Sequence, residues 1–383
     1  MRTQVGIVGA GPAGLTLARL LELAGIETVV LEDRSREYVE HRIRAGVLEQ
    51  GTVELLREAG LAERLDHEGI VHRGIYLQFD GERHHVPLAE LAGGRSIVIY
   101  GQTEVVKDLV AARLHSGLPL LFETSVESVD PSLGVIRHAA GELECDVIAG
   151  CDGFHGVCRQ SIPSGALQLY ERDFPIGWLG ILAAVAPSSD ELVYASHERG
   201  FALLSLRSPE LSRYYLQCDP ADAAADWPDE EIWAELRART ALDGWTLDEG
   251  PVLEKGVTGM RSFVAEPMRH GRLYLVGDAA HIVPPTGAKG LNLAVADART
   301  LADALVAWYA GRGTALLDAY SDTCLRRVWR AEHFSYWMTS MLHKTTDDRF
   351  ERRLQLSQLQ YVTRSKAAAT SLAENYVGLT TMD

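Results

Sequence analysis

Cysteine is scarce: five in 383 residues, an odd number with no disulfide framework in it. Cys145, Cys151 and Cys158 fall close together, but none of their spacings is C-x-x-C, so they offer no zinc or redox motif. They read as buried or half-buried thiols of a reducing cytoplasm. No run of about 18 uninterrupted apolar residues exists, so no membrane-spanning helix is expected. Met1-Arg2-Thr3-Gln4 leads straight into an apolar run, so no signal peptide is expected and the protein is placed in the cytoplasm. Positive charge is also short: 37 Lys and Arg stand against 53 Asp and Glu, a formal net charge of −16. Such a chain has no broad affinity for nucleic acid or anionic lipid, and an anionic ligand must be held by a local cluster of Arg or Lys. There is no internal repeat and no low-complexity segment.

What is present fits a soluble enzyme of two or three structural units around one larger core. Val5 to Val8 is an apolar run, followed at once by Gly9-Ala10-Gly11-Pro12-Ala13-Gly14 and an apolar helix pattern at Leu15, Leu17, Leu20, Leu21 and Leu23. A G-x-G-x-x-G between strand and helix presents bare backbone N–H groups and a helix N-terminus to a pyrophosphate. Pro12 sits near the helix start, where its missing N–H costs nothing. Glu32 ends the next apolar run, Thr28 to Leu31, at the position where a carboxylate binds a ribose hydroxyl pair. Far downstream, Leu273-Tyr274-Leu275-Val276 runs into Gly277-Asp278-Ala279-Ala280-His281. A Gly-Asp after a late strand can bind the other half of a dinucleotide, and FAD is long enough to need both ends of the chain.

The fold class expected is mixed α/β (α+β): a Rossmann-like FAD-binding domain, an inserted antiparallel-sheet substrate domain and a C-terminal helical region. The boundaries read as 1–173 for the first part of the FAD-binding domain, 174–265 for the inserted sheet, 266–310 for the second part and 311–383 for the helical interface region. Helices are expected at 50–65, at 103–115 and after Leu291. Short alternating runs at 178–185, 192–196, 201–206 and 213–218 predict antiparallel strands.

Three segments narrow the family. Arg42-Ile43-Arg44-Ala45-Gly46-Val47-Leu48-Glu49-Gln50, Gly150-Cys151-Asp152-Gly153-Phe154-His155-Gly156 and Gly277 to Pro285 resemble the single-component (class A) flavoprotein aromatic hydroxylases. The resemblance runs nearly end to end, through Glu374-Asn375-Tyr376-Val377-Gly378-Leu379. It implies that NADPH or NADH reduces FAD, that reduced flavin and O₂ give a C4a-hydroperoxide, and that this attacks a ring carbon ortho to a phenol. The substrate it implies is a small aromatic acid, 4-hydroxybenzoate giving 3,4-dihydroxybenzoate. A related para-substituted benzoate, 3,4-dihydroxybenzoate or 4-aminobenzoate, stays open. The resemblance also implies a homodimer. A non-hydroxylating FAD oxidoreductase or a halogenase relative is the runner-up, and the halogenase W-x-W-x-I pattern is missing.

Each job then has candidate residues. Ser205 and Arg207 are two apart on a strand and point the same way, and Arg207 can bind a carboxylate bidentately. On residues alone this could be an exposed strand with alternating polar side chains. The resemblance makes Ser205, Arg207 and Tyr215 a carboxylate clamp. It places Tyr194 against the phenol, Tyr376 next and His72 outermost, a relay carrying a proton from a closed pocket to water. Two half-buried packing tyrosines and a filler histidine are the plainer reading. The Pro285 carbonyl matches a position that touches the phenol, and Arg213 one that influences flavin movement. Lys289, Leu291 and Asn292, before an apolar helix, would face the negative N1–C2=O edge of reduced flavin. Gly9, Gly11, Ala13, Gly14, Glu32, Arg42, Arg44, Val47, Gln102 and Asp278 complete the FAD contacts, with Asp278 on the ribityl chain.

No second Rossmann motif serves the nicotinamide cofactor. Phe154, His155, Arg159 and Arg261, with Arg34, Tyr38, Arg42 and Arg44, match the family's NADPH-contacting surface. Asp33 stands where the NADPH-type pattern has Arg, and Ala13 where it has Ser. Asp33 repels a 2′-phosphate, while Arg34, Arg36 and Arg42 attract one, so the expectation is NADPH use with incomplete discrimination against NADH.

Overall fold

The computed structural model describes residues 1–42 and 46–378, and two eight-stranded sheets organise them. In the first, five parallel strands run in the order Leu273–Leu275, Gly141–Gly150, Arg2–Val8, Thr28–Leu31 and Leu120–Leu121. Parallel strands are covered on both faces, which is why Thr28–Leu31 is buried at all four positions and is apolar from Val29 to Leu31. The strand Leu273–Leu275, some 270 residues downstream in the chain, joins the same edge-to-edge array as Arg2–Val8. Helix Pro12–Leu23 buries Leu15, Leu17, Ala18 and Leu21, and helix Gly290–Tyr309 packs beside it.

The second sheet runs His281–Ile282, Val252–Glu266, Gln168–Ala183, Leu211–Cys218, Gly200–Ser208, Val193–His197, Ile75–Phe79 and Glu82–Val86. Neighbours are antiparallel except Val193–His197 beside Ile75–Phe79, which is parallel. Its alternation sorts two cores. Trp178, Tyr194, Phe201 and Leu203 face one core, shared with Phe334, Met338, Leu372 and Tyr376. Leu179, Ile181, Val193, Ala195, Ala202, Leu204 and Leu216 face the other, against Ile232, Trp233 and Leu236 of helix Asp229–Arg239. Helices Tyr320–Leu342, Arg349–Arg364 and Lys366–Val377 close over the first face.

Three expectations need correction. The helix expected at 50–65 is two, Gln50–Glu58 and Glu63–Glu68, because Gly60 takes φ +69 and breaks the spiral between them. Residues 174–265 hold the helix Asp229–Arg239 as well as strands. The sheet they form also recruits Ile75–Phe79 and Glu82–Val86 from far upstream. Alternation says that a strand has one buried face; it does not say which sheet it joins.

Among the described residues no helix is long and apolar enough to cross a membrane, and no group of three or more His, Cys, Asp or Glu could hold a metal ion. All five cysteines are free, and burial pushes the Cys145 thiol up to about 12, far from a reactive thiolate.

Two buried histidines give the fold a pH limit. His343 Nε2 accepts from the Trp178 indole N–H at 2.7 Å, and its Nδ1 bonds the Thr339 carbonyl at 3.0 Å, which selects the neutral Nδ1–H tautomer. Burial pulls His343 down to about 3 and His72 to about 4, from 6.5. Above 6.5 both are neutral whether folded or unfolded and pH changes nothing through them. Below it the unfolded chain takes up protons that the folded chain refuses. Stability is therefore expected to fall as pH drops from about 6.5 towards 4, by at most about 1.4 kcal/mol per pH unit for each histidine. Urea unfolding across that range checks this, and His343→Gln should reduce the proton uptake by about one.

Candidate active site

The glycine-rich turn is shaped by two different constraints. A Cβ at Gly9, whose φ is +105, would lie 2.4 Å from the Cys151 carbonyl oxygen, and one at Gly14 would lie 2.0 Å from the Gly9 oxygen. Those glycines are demanded by the protein's own backbone. A Cβ at Gly11 would meet no protein atom within 4 Å. The bare backbone there serves something that approaches from outside, at the N-terminus of helix Pro12–Leu23, whose first-turn N–H groups lack partners within the helix. Glu32 accepts from the Ala10 N–H at 2.7 Å and the Arg34 N–H at 2.9 Å, so its carboxylate is held beside the turn. Burial and Asp33 raise its pKa, against the pull of those two N–H groups. Gly277, at φ +63, packs where a Cβ would touch the side chains of Ala294 and Ala13 at 3.0 and 3.3 Å. That contact brings exposed Asp278 alongside the first turn. The cradle fits a dinucleotide held from both ends of the chain. Gly11→Ala is expected to weaken FAD binding at least about tenfold, or 1.4 kcal/mol, without moving the Tm of the FAD-free protein. Flavin fluorescence titration and thermal unfolding read the two separately.

The segment expected at the flavin ring is tightly tied. Lys289 is buried; its ammonium donates to Glu49 Oε1 at 2.5 Å, to the Tyr376 carbonyl at 3.1 Å and to the Asn375 carbonyl. Asn292 donates to the Val47 and Ala288 carbonyls and accepts from the Glu49 N–H and Thr52 hydroxyl. Lys289 and Asn292 thus latch the strand Val47–Glu49, the start of helix Gly290–Tyr309 and the last helix together. Positive potential at this point comes from the helix's first N–H groups rather than from a free ammonium. Leu291 is half-buried against the first core. The Pro285 carbonyl accepts from the Ala288 N–H at 2.9 Å and its ring is exposed. Gln102 opens helix Gln102–His115, and the Arg42 carbonyl accepts from the Thr103 hydroxyl at 3.2 Å. Arg44 lies outside the described residues.

The long sheet brings the clamp and the tyrosines onto one face. Tyr194 pairs with Leu203, Leu203 with Tyr215, and Tyr215 with Gly180, a single row across four strands. Ser205, two residues past Leu203, pairs with Arg213 and shares their face. Arg207 folds back, donating to Ser205 Oγ at 3.2 Å and to the Leu206 carbonyl at 2.8 Å. Arg213 is buried and lies over the Tyr215 ring at 5.3 Å, with Nε and one terminal nitrogen unpartnered. Among the described residues neither arginine has a carboxylate within ion-pair distance. Burial lowers the Arg207 pKa, Tyr215 opposes that, and Arg213 adds to it. Two cations set side by side without an acid partner make a site for an anion. Gly180 was not foreseen: a Cβ there would lie 2.6 Å from the Arg213 guanidinium. A glycine inside a strand pattern was the available signal.

Tyr194 and Tyr376 hydroxyls are hydrogen-bonded to each other, both side chains buried, one on the sheet and one on the last helix. Burial raises both pKa values, so both stay protonated at neutral pH; the bond to Tyr376 partly offsets this for Tyr194. His72 is fully buried on the strand Ile70–His72, and neither ring nitrogen has a hydrogen-bond partner. The structure therefore joins two of the three expected relay members directly and leaves His72 apart.

The expected nicotinamide surface forms two clusters. Phe154 packs edge-on against His155 and Phe263, each at 5.0 Å, with Arg159 and Arg261 over its ring at 4.8 and 4.9 Å. Arg159 also donates to the Ala279 carbonyl at 2.8 Å, which ties this cluster to the Gly277–Ala279 turn. Arg34 and Arg42 flank exposed Tyr38 at 5.4 and 6.0 Å from its ring. Arg34 pairs with Asp33 at 3.4 Å and Arg36 with Glu40 at 2.8 Å, so two of the three local cations are already balanced.

Comparison with known proteins identifies the family and the fold. The profile of the FAD binding domain family matches residues 2–335. The chain is 48% identical to p-hydroxybenzoate hydroxylase of Acinetobacter baylyi, covering 99% of this chain and 96% of that one. It is 29% identical to a 3-(3-hydroxy-phenyl)propionate/3-hydroxycinnamic acid hydroxylase of Mycobacterium avium, over 83% of this chain and 57% of that one. The fold superposes on p-nitrophenol 4-monooxygenase from Pseudomonas putida with a TM-score of 0.82, 22% identity, and coverage of 99% and 100%.

Proposed function

The chain belongs to the FAD-dependent aromatic hydroxylases, and from that membership we propose that it converts 4-hydroxybenzoate, a reduced nicotinamide cofactor and O₂ to 3,4-dihydroxybenzoate. The observation that carries the substrate is the pair Arg207 and Arg213, cations without a carboxylate partner on the same sheet face as Tyr194. Ser205 and Tyr194 sit on adjacent strands two residues out of register. Strand spacing and rise put their backbones about 8 Å apart, a span suited to an acid at one end of a ring and a phenol at the other.

Arg207, Ser205 and Tyr215 would bind the carboxylate. That leaves the phenol at Tyr194. Because both tyrosines stay protonated, neither acts as a standing base. Instead the Tyr194 oxygen takes the phenolic proton while its own passes to the Tyr376 oxygen, and Tyr376 releases its own proton in turn towards water, with His72 as the outer member of the relay. The phenolate so formed pushes electron density into the ring carbon ortho to it. The two glycine turns, Glu32 and Asp278 would hold FAD, which when bound would supply the hydride acceptor and the O₂ activation that the hydroxylation step needs. The closed, aromatic-walled face of Trp178, Phe201 and Phe334 excludes water from that step. Assays with 4-hydroxybenzoate, 3,4-dihydroxybenzoate and 4-aminobenzoate test the substrate: the first should give the largest kcat/KM.

NADPH is used with incomplete discrimination against NADH in this reading, because Asp33 and Glu40 balance two of the nearby arginines. Asp33→Arg is expected to raise the NADPH/NADH ratio of kcat/KM about tenfold, mainly through KM. Steady-state assays of both proteins with both cofactors check it, and an unchanged ratio contradicts it. A homodimer is supported by the exposed stripe Phe350, Leu354 and Tyr361 on helix Arg349–Arg364.

A further inference from the structure

A cleft of about 350 Å³ opens between the paired strands 168–173 and 261–266 and helix Tyr320–Leu342. Its walls are aromatic: Tyr170, Phe263, Trp329 and Tyr336. Tyr170 meets Trp329 edge-on at 5.2 Å. Glu332 lies in the wall, 6% exposed, and accepts from the Ser262 hydroxyl through Oε2 at 2.8 Å. Its other oxygen, Oε1, is buried and makes no well-formed hydrogen bond, although the Phe263 N–H also acts on this carboxyl. A carboxyl oxygen so poorly satisfied in an aromatic cleft is costly unless a ligand meets it.

Phe263 is shared. One side lines the cleft; the other packs on Phe154 at 5.0 Å, with Arg159 over its ring at 4.6 Å. We infer that this cleft seats the nicotinamide ring of the reduced cofactor, its carboxamide on Glu332 and Ser262, at a docking position next to the Phe154–Arg159–Arg261 cluster. The inference rests on the reading of that cluster as the nicotinamide surface. The adenosine end is assigned elsewhere, to Arg34, Tyr38 and Arg42, which leaves the ring end for the cleft. A benzoate is a poorer fit, since Glu332 sets a carboxyl in the wall, and the cation there, Arg172, lies over Tyr336 at 5.3 Å while Glu171 is paired with Arg261 at 3.9 Å.

The seat distinguishes the two redox forms. Burial lifts the Glu332 carboxyl to about 7, with Ser262, His281 and the Phe263 N–H opposing. His281 is itself paired with Asp297 at 2.6 Å, and the other charged neighbours are His333, Glu171 and Arg172. A neutral carboxyl donates to the carboxamide oxygen of either form. Once ionised, it favours the cationic oxidised ring. NADP⁺ inhibition should therefore tighten as pH rises through about 7.

The test uses the FAD-loaded full chain and three variants: Trp329→Leu, Glu332→Gln and Arg261→Ala. Inhibition constants are measured for nicotinamide mononucleotide and for adenosine 2′,5′-bisphosphate, and NADP⁺ inhibition is followed against pH. Trp329→Leu should weaken the mononucleotide about tenfold and leave the adenosine compound unchanged. Glu332→Gln should flatten the pH dependence of NADP⁺ inhibition. Weakening of the adenosine compound instead would assign the cleft to adenine and overturn the inference. If Arg261→Ala raises the KM for NADPH while neither cleft variant moves any constant, the inference fails and the underlying surface survives. If Arg261→Ala is also silent, the surface itself was misread.

Discussion

Arg207→Ala is expected to abolish useful binding of the aromatic acid while FAD stays bound. The guanidinium is half-buried, held by Ser205 and the Leu206 carbonyl, and has no carboxylate of its own to satisfy. Removing it leaves a desolvated substrate carboxylate facing Arg213 alone. Losing a charged hydrogen bond from such a site costs about 3 kcal/mol, roughly a 150-fold rise in substrate Kd. Flavin absorbance changes on adding 4-hydroxybenzoate read that Kd, and the flavin content of the purified variant reads the FAD site. An unchanged substrate Kd would remove Arg207 from the clamp. Arg207→Lys should recover only part of the loss, because a single ammonium cannot reproduce the planar fork.

Tyr194→Phe should retain FAD and substrate yet lose most hydroxylation. The change deletes one oxygen from a buried hydrogen-bonded pair and leaves Tyr376 without its partner. The phenol then keeps its proton, and the ring carbon is a weaker nucleophile. Reduced FAD still meets O₂, so NADPH consumption continues and ends in hydrogen peroxide. General-base assistance contributes about 10²–10⁴ in rate, which sets the expected fall in product formation. Product and peroxide counted per NADPH decide it: a wild-type product yield would show that the tyrosine pair moves no proton.

Much of this was legible before the structure because the signals are local. The glycine turn, Glu32 and Gly277-Asp278 each announce themselves over a few residues, and the structure joins them through contacts of Gly277 with Ala13 and Ala294. The same-face placement of Ser205, Tyr215 and Tyr194 follows from strand alternation once register is known. What stayed hidden is non-local. Nothing near Lys289 says that Glu49 neutralises it, since the two are 240 residues apart. Nothing near Gly180 says that Arg213 needs its missing side chain. His72 is tied to the relay by the family resemblance alone, since it shares no direct hydrogen bond with Tyr376. The strands Ile75–Phe79 and Glu82–Val86 joined a sheet that local pattern assigned to a later segment.

The measurement closest to the central claim is NADPH oxidation by the FAD-loaded protein, with and without 4-hydroxybenzoate, with hydrogen peroxide and 3,4-dihydroxybenzoate quantified together. The unpaired arginines and the buried tyrosine pair predict oxidation strongly stimulated by 4-hydroxybenzoate, with nearly one 3,4-dihydroxybenzoate formed per NADPH and little peroxide. Oxidation indifferent to 4-hydroxybenzoate, or stimulated oxidation that ends wholly in peroxide, would contradict it.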